Sequence, residues 1–362
     1  MSNDQPGGTV TPRTRRRAGG SDACRASPAP GRAAARAVLA TALLVSPLRG
    51  AGGAARPAAT QPADPPATQP AGRHSLIGRL EDKDLAESSG IVASRRHEGV
   101  FWTHNDSGGG PHLFAVNREG KLIARFEVAA VNRDWEDVAT DDDGHLYIGE
   151  IGNNGGRLGE LAVYRVDEPD PRAPRGPKAG GKAPPPPPPL RVTQTWRLRF
   201  PDRPFDCEAL FVHGGKGYVI SKLLTYQPAT IYRFDLAEQK GPFAVLEPVA
   251  AIPVRFPVTA ADVTPDGRRL AVMTVGGPYL FDIDGDVATA AKAAPAHVGF
   301  VHPKIEAVCF VPEGLLATTE DRQVFLFRYE QFGVEAGPAT KPAGGGESPT
   351  KGTKEHEENS KN

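Results

Sequence analysis

Between residues 74 and 332 the chain alternates between short apolar runs and polar turns. His145 to Gly149 reads H-L-Y-I-G, and Leu161 to Val166 reads L-A-V-Y-R-V. Runs of this length, rich in β-branched and aromatic side chains, indicate β-strands. Glycine-containing turns such as Asp141 to Gly144 and Pro265 to Gly267 separate them, because glycine adopts the positive φ that tight turns need. The pattern therefore predicts an all-β domain.

One five-residue pattern recurs in that domain and marks a repeat. The five copies are Glu87-Ser-Ser-Gly-Ile91, Asp134-Trp-Glu-Asp-Val138, Asp206-Cys-Glu-Ala-Leu210, Thr259-Ala-Ala-Asp-Val263 and Lys304-Ile-Glu-Ala-Val308. They follow one another at intervals of 45 to 72 residues, and the longest interval contains the low-complexity run from Asp170 to Leu190. A period of about 40–50 residues with four short strands per repeat is typical of a β-propeller blade.

The two ends of the repeat region predict how the ring closes. The fifth repeat lacks an outer strand at its C-terminal end, and an unpaired strand, Ser75 to Leu80, precedes the first repeat. Pairing the two removes exposed sheet edges. We therefore predict a single propeller of five four-stranded blades, with the N-terminal strand closing the last blade. Six blades stay an alternative, because Asp284 to Val301 is long enough for a further pair of strands.

Composition predicts four parts of the chain. Residues 1–55 carry arginines, then a short apolar stretch, then small residues, which is the order of an export signal. Residues 56–73 form a Pro/Ala-rich linker, residues 74–332 the propeller, and residues 333–362 a disordered tail. A Pro-rich insert, residues 167–190, joins two strands of the second blade on the face away from the channel mouth. An Ala-rich leader without a targeting role is the alternative for residues 1–55.

These features predict an exported protein, secreted or periplasmic. The apolar stretch is too short for a spanning helix, which needs about 20 residues, so no integral membrane domain is expected. The 43 basic and 43 acidic residues balance to a formal charge of zero, which gives no indication of a nucleic-acid partner. We expect a monomer whose partner is a small polar ligand or a protein. Cys207 and Cys309 are predicted to be buried free thiols.

Propeller topology predicts where the polar residues meet. The innermost strands all begin at one end of the ring and the second strands return to it, so residues flanking these points converge at the channel mouth. Carboxylate and amide oxygens suit Ca²⁺ better than zinc. The predicted metal ligands are Asn105, Asp106, Asp134, Glu136, Asp206 and Glu208. The predicted ligand-binding residues are Glu87, His104, Glu150, Asn153, Asn154, Arg157, Lys222, Glu306 and Glu320.

Structural roles for some of these residues stay open. Glu136, Glu208 and Glu306 recur in one column, and acids at strand starts can simply accept backbone N–H groups from the neighbouring blade. The side chains of Asn153 and Asn154 can equally be turn caps.

Five motifs resemble those of a family of secreted bacterial β-propeller proteins. They are S-S-G-I-V from Ser88, F-W-T-H-N-D-S-G from Phe101, D-W-E-D-V-A from Asp134, Y-I-G-E-I-G-N-N from Tyr147 and V-Y-R-V-D-E-P from Val163. Similar members show D-W-E-D-I-A and G-D-I-G-D-N, so Glu150 and Asn153 are conservative departures. The resemblance spans His74 to Tyr329 and implies a propeller and export, without implying an activity. A wider similarity to TolB-like and phytase-like propellers implies six blades rather than five.

Three functions are compatible with the sequence. The first is an extracytoplasmic propeller whose acidic mouth binds Ca²⁺ and a small polar ligand or partner. The second is a calcium-dependent hydrolase, either a phytase-like phosphoesterase or a glycosidase; the analogy to phytases rests on fold alone. Phosphoester chemistry needs cationic groups facing the phosphate, for which the sequence offers Arg157, Lys222, Lys304 and His104. The third is a protein-interaction scaffold. Whether the protein is an enzyme is left open.

Overall fold

The described residues form 21 short strands and two 3-10 helices. The structure is a computed structural model, and it describes residues 74–173, 187–225 and 227–335. The predicted leader and linker, the centre of the Pro-rich insert and nearly all of the tail lie outside these residues.

The strands form five sheets, one for each predicted blade, and in every sheet the first strand named here is innermost. Blade 1 contains β2 (Ser88–Ala93), β3 (Phe101–Asn105), β4 (His112–Val116) and β5 (Leu122–Glu127). Blade 2 contains β6 (Trp135–Thr140), β7 (His145–Glu150), β8 (Glu160–Asp167) and β9 (Val192–Arg199). Blade 3 contains β10 (Asp206–His213), β11 (Lys216–Lys222), β12 (Ala229–Asp235) and β14 (Glu247–Ile252). Blade 4 contains β15 (Val258–Val263), β16 (Arg269–Thr274), β17 (Tyr279–Asp282) and β18 (Ala296–His297). Blade 5 contains β19 (Ile305–Val311), β20 (Gly314–Thr319), β21 (Gln323–Arg328) and β1 (Ser75–Arg79).

Three small elements complete the fold. The strand β13 (Ala244–Val245) leaves blade 3 and pairs in parallel with β9 of blade 2. The 3-10 helices span Val287–Ala291 and Tyr329–Phe332. The first of these helices and the two-residue strand β18 occupy the segment that could have held a further pair of strands, so the five-blade prediction is confirmed.

The N-terminal strand closes the ring as predicted. β1 pairs antiparallel with β21, with Ser75 opposite Leu326 and Arg79 opposite Gln323. The innermost strands contact one another in the order β2, β6, β10, β15, β19 and then β2 again. Blade 5 is thus assembled from both ends of the propeller domain.

The hydrophobic core lies between the blades rather than at the centre. Each of the five blade–blade interfaces has its own cluster of buried apolar side chains. Trp102 and Trp135 lie in the cluster between blades 1 and 2, and Trp196 lies between blades 2 and 3. The predicted free thiols are confirmed, since Cys207 and Cys309 are unbonded and buried. Apolar burial at every interface leaves the ring centre for polar groups.

Every innermost strand carries a β-bulge at the same place. The pairing to the second strand skips one residue per blade: Ser89, Glu136, Glu208, Thr259 and Glu306. Bulges bend a strand and redirect a side chain. This register corrects the alignment of the fourth repeat by two residues, because Thr259 is equivalent to Glu136 and not to Asp134. Asp262 is consequently not equivalent to Asp137.

We predict that the stability of the whole ring depends on β1. Deleting residues 1–79 should lower the melting temperature by about 10 °C relative to deleting residues 1–73, because several backbone hydrogen bonds of about 1 kcal/mol each are lost. Circular dichroism melting of the two deletion proteins measures the difference. Equal melting temperatures would show that β1 is dispensable.

Candidate functional site

One face of the ring collects the acidic residues. In each blade the innermost strand starts at this face, the second strand ends there, and the third strand starts there. The loops between second and third strands and the connections between blades therefore share it. We call it the mouth face. Asp106 directly follows β3 and Asp134 directly precedes β6, so both lie on it.

The five bulge residues form a ring just inside the mouth, which we call the channel ring. Ser89 Oγ donates a hydrogen bond to Glu136 Oε2 at 3.2 Å, so side chains of adjacent blades meet there. All five residues are buried, with Glu306 the most exposed at 8%. The channel ring thus contains three carboxyl groups and two hydroxyl groups.

Lys222 supplies a fixed cation to the channel ring. Its ammonium group forms an ion pair with Glu208. Burial opposes the charge of Lys222, but Glu208, Glu306 and Glu136 outweigh it and raise the pKa of the ammonium group. The lysine therefore stays protonated and offsets part of the negative charge.

Three carboxylates converge beside the channel ring. Oxygen atoms of Asp106, Asp134 and Glu136, which we call the carboxylate trio, lie within 4.8 Å of one another. Glu136 is 1% exposed, and burial together with the charges of Glu208, Asp106 and Asp134 raises its pKa well above the ordinary value. The trio is a concentration of hard oxygen ligands with mutual repulsion.

Gly152 lets two carboxylates of the trio lie against the backbone. A Cβ atom at this position would lie 2.3 Å from Asp134 Oδ2 and 2.3 Å from Glu136 Oε1. The Gly152 N–H also donates to the Asp134 carbonyl at 3.2 Å, which holds the two loops together. Any larger residue at this position would therefore have to displace the carboxylates of Asp134 and Glu136.

Two predicted ligand-binding residues serve mainly to fix the loops. Glu150 accepts hydrogen bonds from the backbone N–H groups of Arg133 and Asp134, at 3.0 and 3.1 Å. Asn153 accepts one from Leu158 N at 2.7 Å, and its own backbone N–H donates to Asp206 Oδ1 at 2.8 Å. The Asn153 side-chain contact matches the turn-cap alternative, and together these bonds fix the backbone at Asp134 and the carboxylate of Asp206.

Asn105 and His104 are both buried. Asn105 Oδ1 accepts from Glu87 N at 3.0 Å, and Asn105 Nδ2 donates to Asp84 O at 2.6 Å. His104 is fully buried, with its ring 5.7 Å from that of Trp135 in an edge-on arrangement. Burial lowers the pKa of His104, which favours the neutral imidazole. Neither side chain is presented to the mouth.

The remaining predicted residues are spread over the mouth. Glu306 belongs to the channel ring, while Glu320 is half-buried and its N–H donates to Lys304 O at 2.9 Å. Glu87, Asn154 and Arg157 are exposed on surrounding loops. The structure thus brings Asp106, Asp134 and Glu136 into one cluster and places the other residues around it.

Two residues outside the glutamate column, Asp137 and Asp262, accept hydrogen bonds from backbone N–H groups of other blades. Asp137 Oδ2 accepts from Leu210 N of β10 at 3.0 Å and from Ala261 N of β15 at 3.2 Å. Asp262 Oδ2 accepts from Phe310 N of β19 at 2.9 Å. In the sequence, this role of Asp137 is marked only by its position directly after the bulge residue. The bulge residue is known only once the pairing of β6 with β7 is known.

A second acidic cluster lies on the opposite face. It consists of Asp141, Asp143 and His145. Asp141 Oδ1 accepts from the backbone N–H of His145 at 2.9 Å, and Asp141 Oδ2 accepts from the Tyr147 hydroxyl at 2.8 Å. These are the contacts of a tight turn, so this cluster is explained by local structure.

Comparison with known proteins gives limited information. No protein-family model matches the chain, and no curated protein matches it significantly. Solved structures that match include hydrazine synthase of Kuenenia stuttgartiensis, at 15% sequence identity and a TM-score of 0.35. The match covers 68% of this chain and 59% of that one, so this chain spans about three-fifths of that protein. Similarity of this degree carries no argument about function, and the propeller is established by the strand pairing itself.

Helices in the described part of the chain do not reach the length and apolar character that crossing a membrane requires.

We predict a pH-dependent contribution of Asp262 to stability. Burial raises the pKa of the Asp262 carboxyl group from 3.8 to about 6, although the hydrogen bond from the Phe310 N–H acts to lower it. The folded state then binds this proton more tightly than the unfolded state. The resulting stabilisation is complete below about pH 4 and is lost as the pH rises through about 6.

Asp262→Asn lacks this titration. The free energy of unfolding of the parent relative to the variant should therefore fall between pH 4 and pH 7, by at most about 3 kcal/mol. Urea unfolding at several pH values measures it, with the surface variant Asp284→Asn as the control. A difference that does not change with pH would contradict the assignment.

Proposed function

We propose that the protein is an extracytoplasmic propeller that binds Ca²⁺ at the carboxylate trio and presents it to a small polar ligand. The observation that carries this proposal is the convergence of Asp106, Asp134 and Glu136 beside Gly152, where the missing side chain lets two of the carboxylates lie against the backbone. The export signal predicted in residues 1–55 supports the extracytoplasmic setting.

The size of the cluster suits a calcium ion. Ca²⁺ binds oxygen atoms at about 2.3–2.6 Å, so two ligands on opposite sides lie up to about 5 Å apart. The oxygen atoms of the trio lie within 4.8 Å of one another, which one Ca²⁺ ion can span. The donors are carboxylates without thiol or imidazole groups, and such a set favours Ca²⁺ over zinc.

The charge of the mouth supports the same conclusion. Like charges within a buried cluster raise one another's pKa or recruit a cation. Glu208 already has an ammonium partner in Lys222. We infer that an exchangeable divalent cation neutralises the trio in the way that Lys222 neutralises Glu208.

A three-carboxylate site leaves room for other ligands of the ion. Ca²⁺ takes six to eight oxygen ligands, and sites in extracellular modules have dissociation constants of about 10⁻⁴–10⁻³ M. Ligand oxygens or water would supply the remaining positions. The mouth would then bind small polar molecules through the ion.

The hydrolase alternative has less support. Of the cationic groups that could face a phosphate, Lys222 is paired with Glu208, and His104 is buried. Those two positions do not supply the charge that phosphoester chemistry needs.

We predict that calcium stabilises the fold through the trio. If the dissociation constant is about 1 mM, then 10 mM CaCl₂ should add about 1.4 kcal/mol, a few degrees in melting temperature. The double variant Asp106→Asn/Asp134→Asn should lose this gain, as judged by melting curves with and without Ca²⁺. Asp143→Asn, in the turn cluster on the opposite face, should keep it. An unchanged gain in the double variant would exclude the trio as the site.

We predict that Gly152→Ala abolishes the calcium effect without removing a charge. The added methyl group would overlap the carboxylates of Asp134 and Glu136 and force both away from their positions in the trio. The φ angle of Gly152 is not in the positive range, so alanine does not strain the backbone there. Calorimetric titration with CaCl₂ should show at least a tenfold loss of affinity, about 1.4 kcal/mol. Gly159→Ala is the matched control, since a Cβ atom there meets nothing within 4 Å.

A further inference from the structure

The loop between β7 and β8 contains an Asn–Gly pair on the mouth face. Asn154-Gly155 is the one such pair in the sequence. The preceding residue, Asn153, donates its backbone N–H to Asp206 Oδ1 at 2.8 Å. A chemical change at Asn154 would therefore occur next to a contact that holds the mouth-face loops together.

The pair occupies the centre of a tight turn. The Gly156 N–H donates to Asn153 O at 2.7 Å and closes the turn around the pair. Both residues of the pair are exposed, and Gly155 has a φ of 81°, which glycine adopts without strain. The closing bond uses the N–H of Gly156, so the N–H of Gly155 stays outside it. The Gly155 amide is therefore accessible to water and to bases dissolved in it.

The side chain of Asn154 is held less firmly than those of comparable asparagines. Within the described part of the chain, the Asn154 carboxamide takes part in no hydrogen bond. Asn153 Oδ1 accepts from Leu158 N at 2.7 Å, whereas Asn117 Oδ1 accepts from Lys121 N at 2.8 Å. Both of these asparagines are also followed by a residue that carries a side chain. Of the three, Asn154 combines an unrestrained carboxamide with a following glycine.

A positive charge lies beside the peptide unit of Gly155. A Cβ atom at Gly155 would lie 3.7 Å from Arg157 Nε. The guanidinium group of arginine stays protonated in proteins, and it favours negative charge that develops on neighbouring nitrogen or oxygen atoms. Arg157 would therefore make the Gly155 N–H easier to deprotonate.

We propose that Asn154 is a site of spontaneous deamidation, assisted by the charge of Arg157. The glycine that follows has no Cβ atom to hinder attack by its own nitrogen on the asparagine side chain. The proposal goes beyond the proposed function, since the reaction needs neither a cation nor a ligand at the mouth.

The reaction requires only water and a base in solution. The Gly155 nitrogen gives its proton to the base and attacks Cγ of Asn154. The new C–N bond closes a five-membered succinimide ring, and the bond from Cγ to the side-chain nitrogen breaks, so that ammonia leaves after taking up a proton. Water then opens the ring at either carbonyl carbon and yields aspartate or isoaspartate. Water is consumed and ammonia is released, with no oxidation or reduction.

Either product changes the mouth face. A neutral carboxamide becomes a carboxylate, and isoaspartate also lengthens the main chain by a methylene group at this position. The neighbouring Asn153 is bonded to Asp206 through its backbone N–H and to Leu158 through its side chain. The modification would therefore alter both the charge and the backbone of this loop, and its extent would increase with the age of the protein molecule.

Peptide mapping of aged protein tests the proposal. The purified full chain is incubated without added metal at several pH values, and samples are digested with trypsin and analysed by mass spectrometry. Asn154 should convert to a mixture of aspartate and isoaspartate, and faster at higher pH because the Gly155 nitrogen must lose its proton. Methylation by protein isoaspartyl methyltransferase identifies the isoaspartate. Asn153, in the same tryptic peptide, and Asn117, in another, should remain intact as internal controls.

Two variants test the role of Arg157. Arg157→Gln should slow the conversion about fourfold, the effect on a reaction barrier of removing a unit charge a few ångströms away in water. Arg157→Lys keeps the charge and should react at nearly the parent rate. Circular dichroism melting of both variants checks that they fold like the parent.

Two results would overturn the proposal. One is that Asn154 stays intact, or converts no faster than Asn153 and Asn117. The other is a conversion rate that Arg157→Gln leaves unchanged, which would show that the charge of Arg157 does not assist the reaction.

Discussion

The structure depends on satisfying the backbone groups that face the channel. The innermost strand is the last strand of its sheet in every blade, so its inner edge has no ladder to pair with. An unpaired buried N–H group costs about 1–3 kcal/mol. The carboxylate of Asp137 accepts from Leu210 of blade 3 and Ala261 of blade 4, as well as from its own neighbour Val138. One side chain thereby joins the centres of three blades. Burial raises the pKa of the Asp137 carboxyl group well above the ordinary value, although the hydrogen bonds from those N–H groups act to lower it.

The same geometry produces the mouth. Each bulge removes one residue from the ladder and redirects its side chain, and the five bulges lie at one level because the blades are equivalent. Side chains far apart in sequence therefore meet, as Ser89 and Glu136 do. The channel ring is thus a direct product of the repeat, whereas Asp106 and Asp134 of the trio come from the loops beside it. The loops outside the channel ring differ in length and sequence between blades.

Local patterns predicted the fold well, and the site only in part. Strand alternation, the repeat period and the missing outer strand are properties of the sequence itself, so five blades and the closing role of β1 could be predicted. The register of the fourth repeat could not be predicted, because Thr259-Ala-Ala carries no acidic residue and a bulge leaves no mark in the sequence. Asx and Glu residues that cap turns are the same residue types that bind calcium. Sequence alone therefore does not distinguish Asn105, Glu150 and Asn153, which fix the loops, from Asp106 and Asp134, which belong to the trio.

The channel ring itself indicates that its acids are not required by the fold. Blades 1 and 4 carry Ser89 and Thr259 at the bulge, where blades 2, 3 and 5 carry glutamate. The propeller therefore accepts a short neutral side chain at this position with the same strand pairing. Three buried carboxyl groups in its place raise the pKa of Glu136 and bring in Lys222 as a counter-charge. Because a neutral ring would avoid that repulsion, the fold alone does not account for the three acids at this level of the channel.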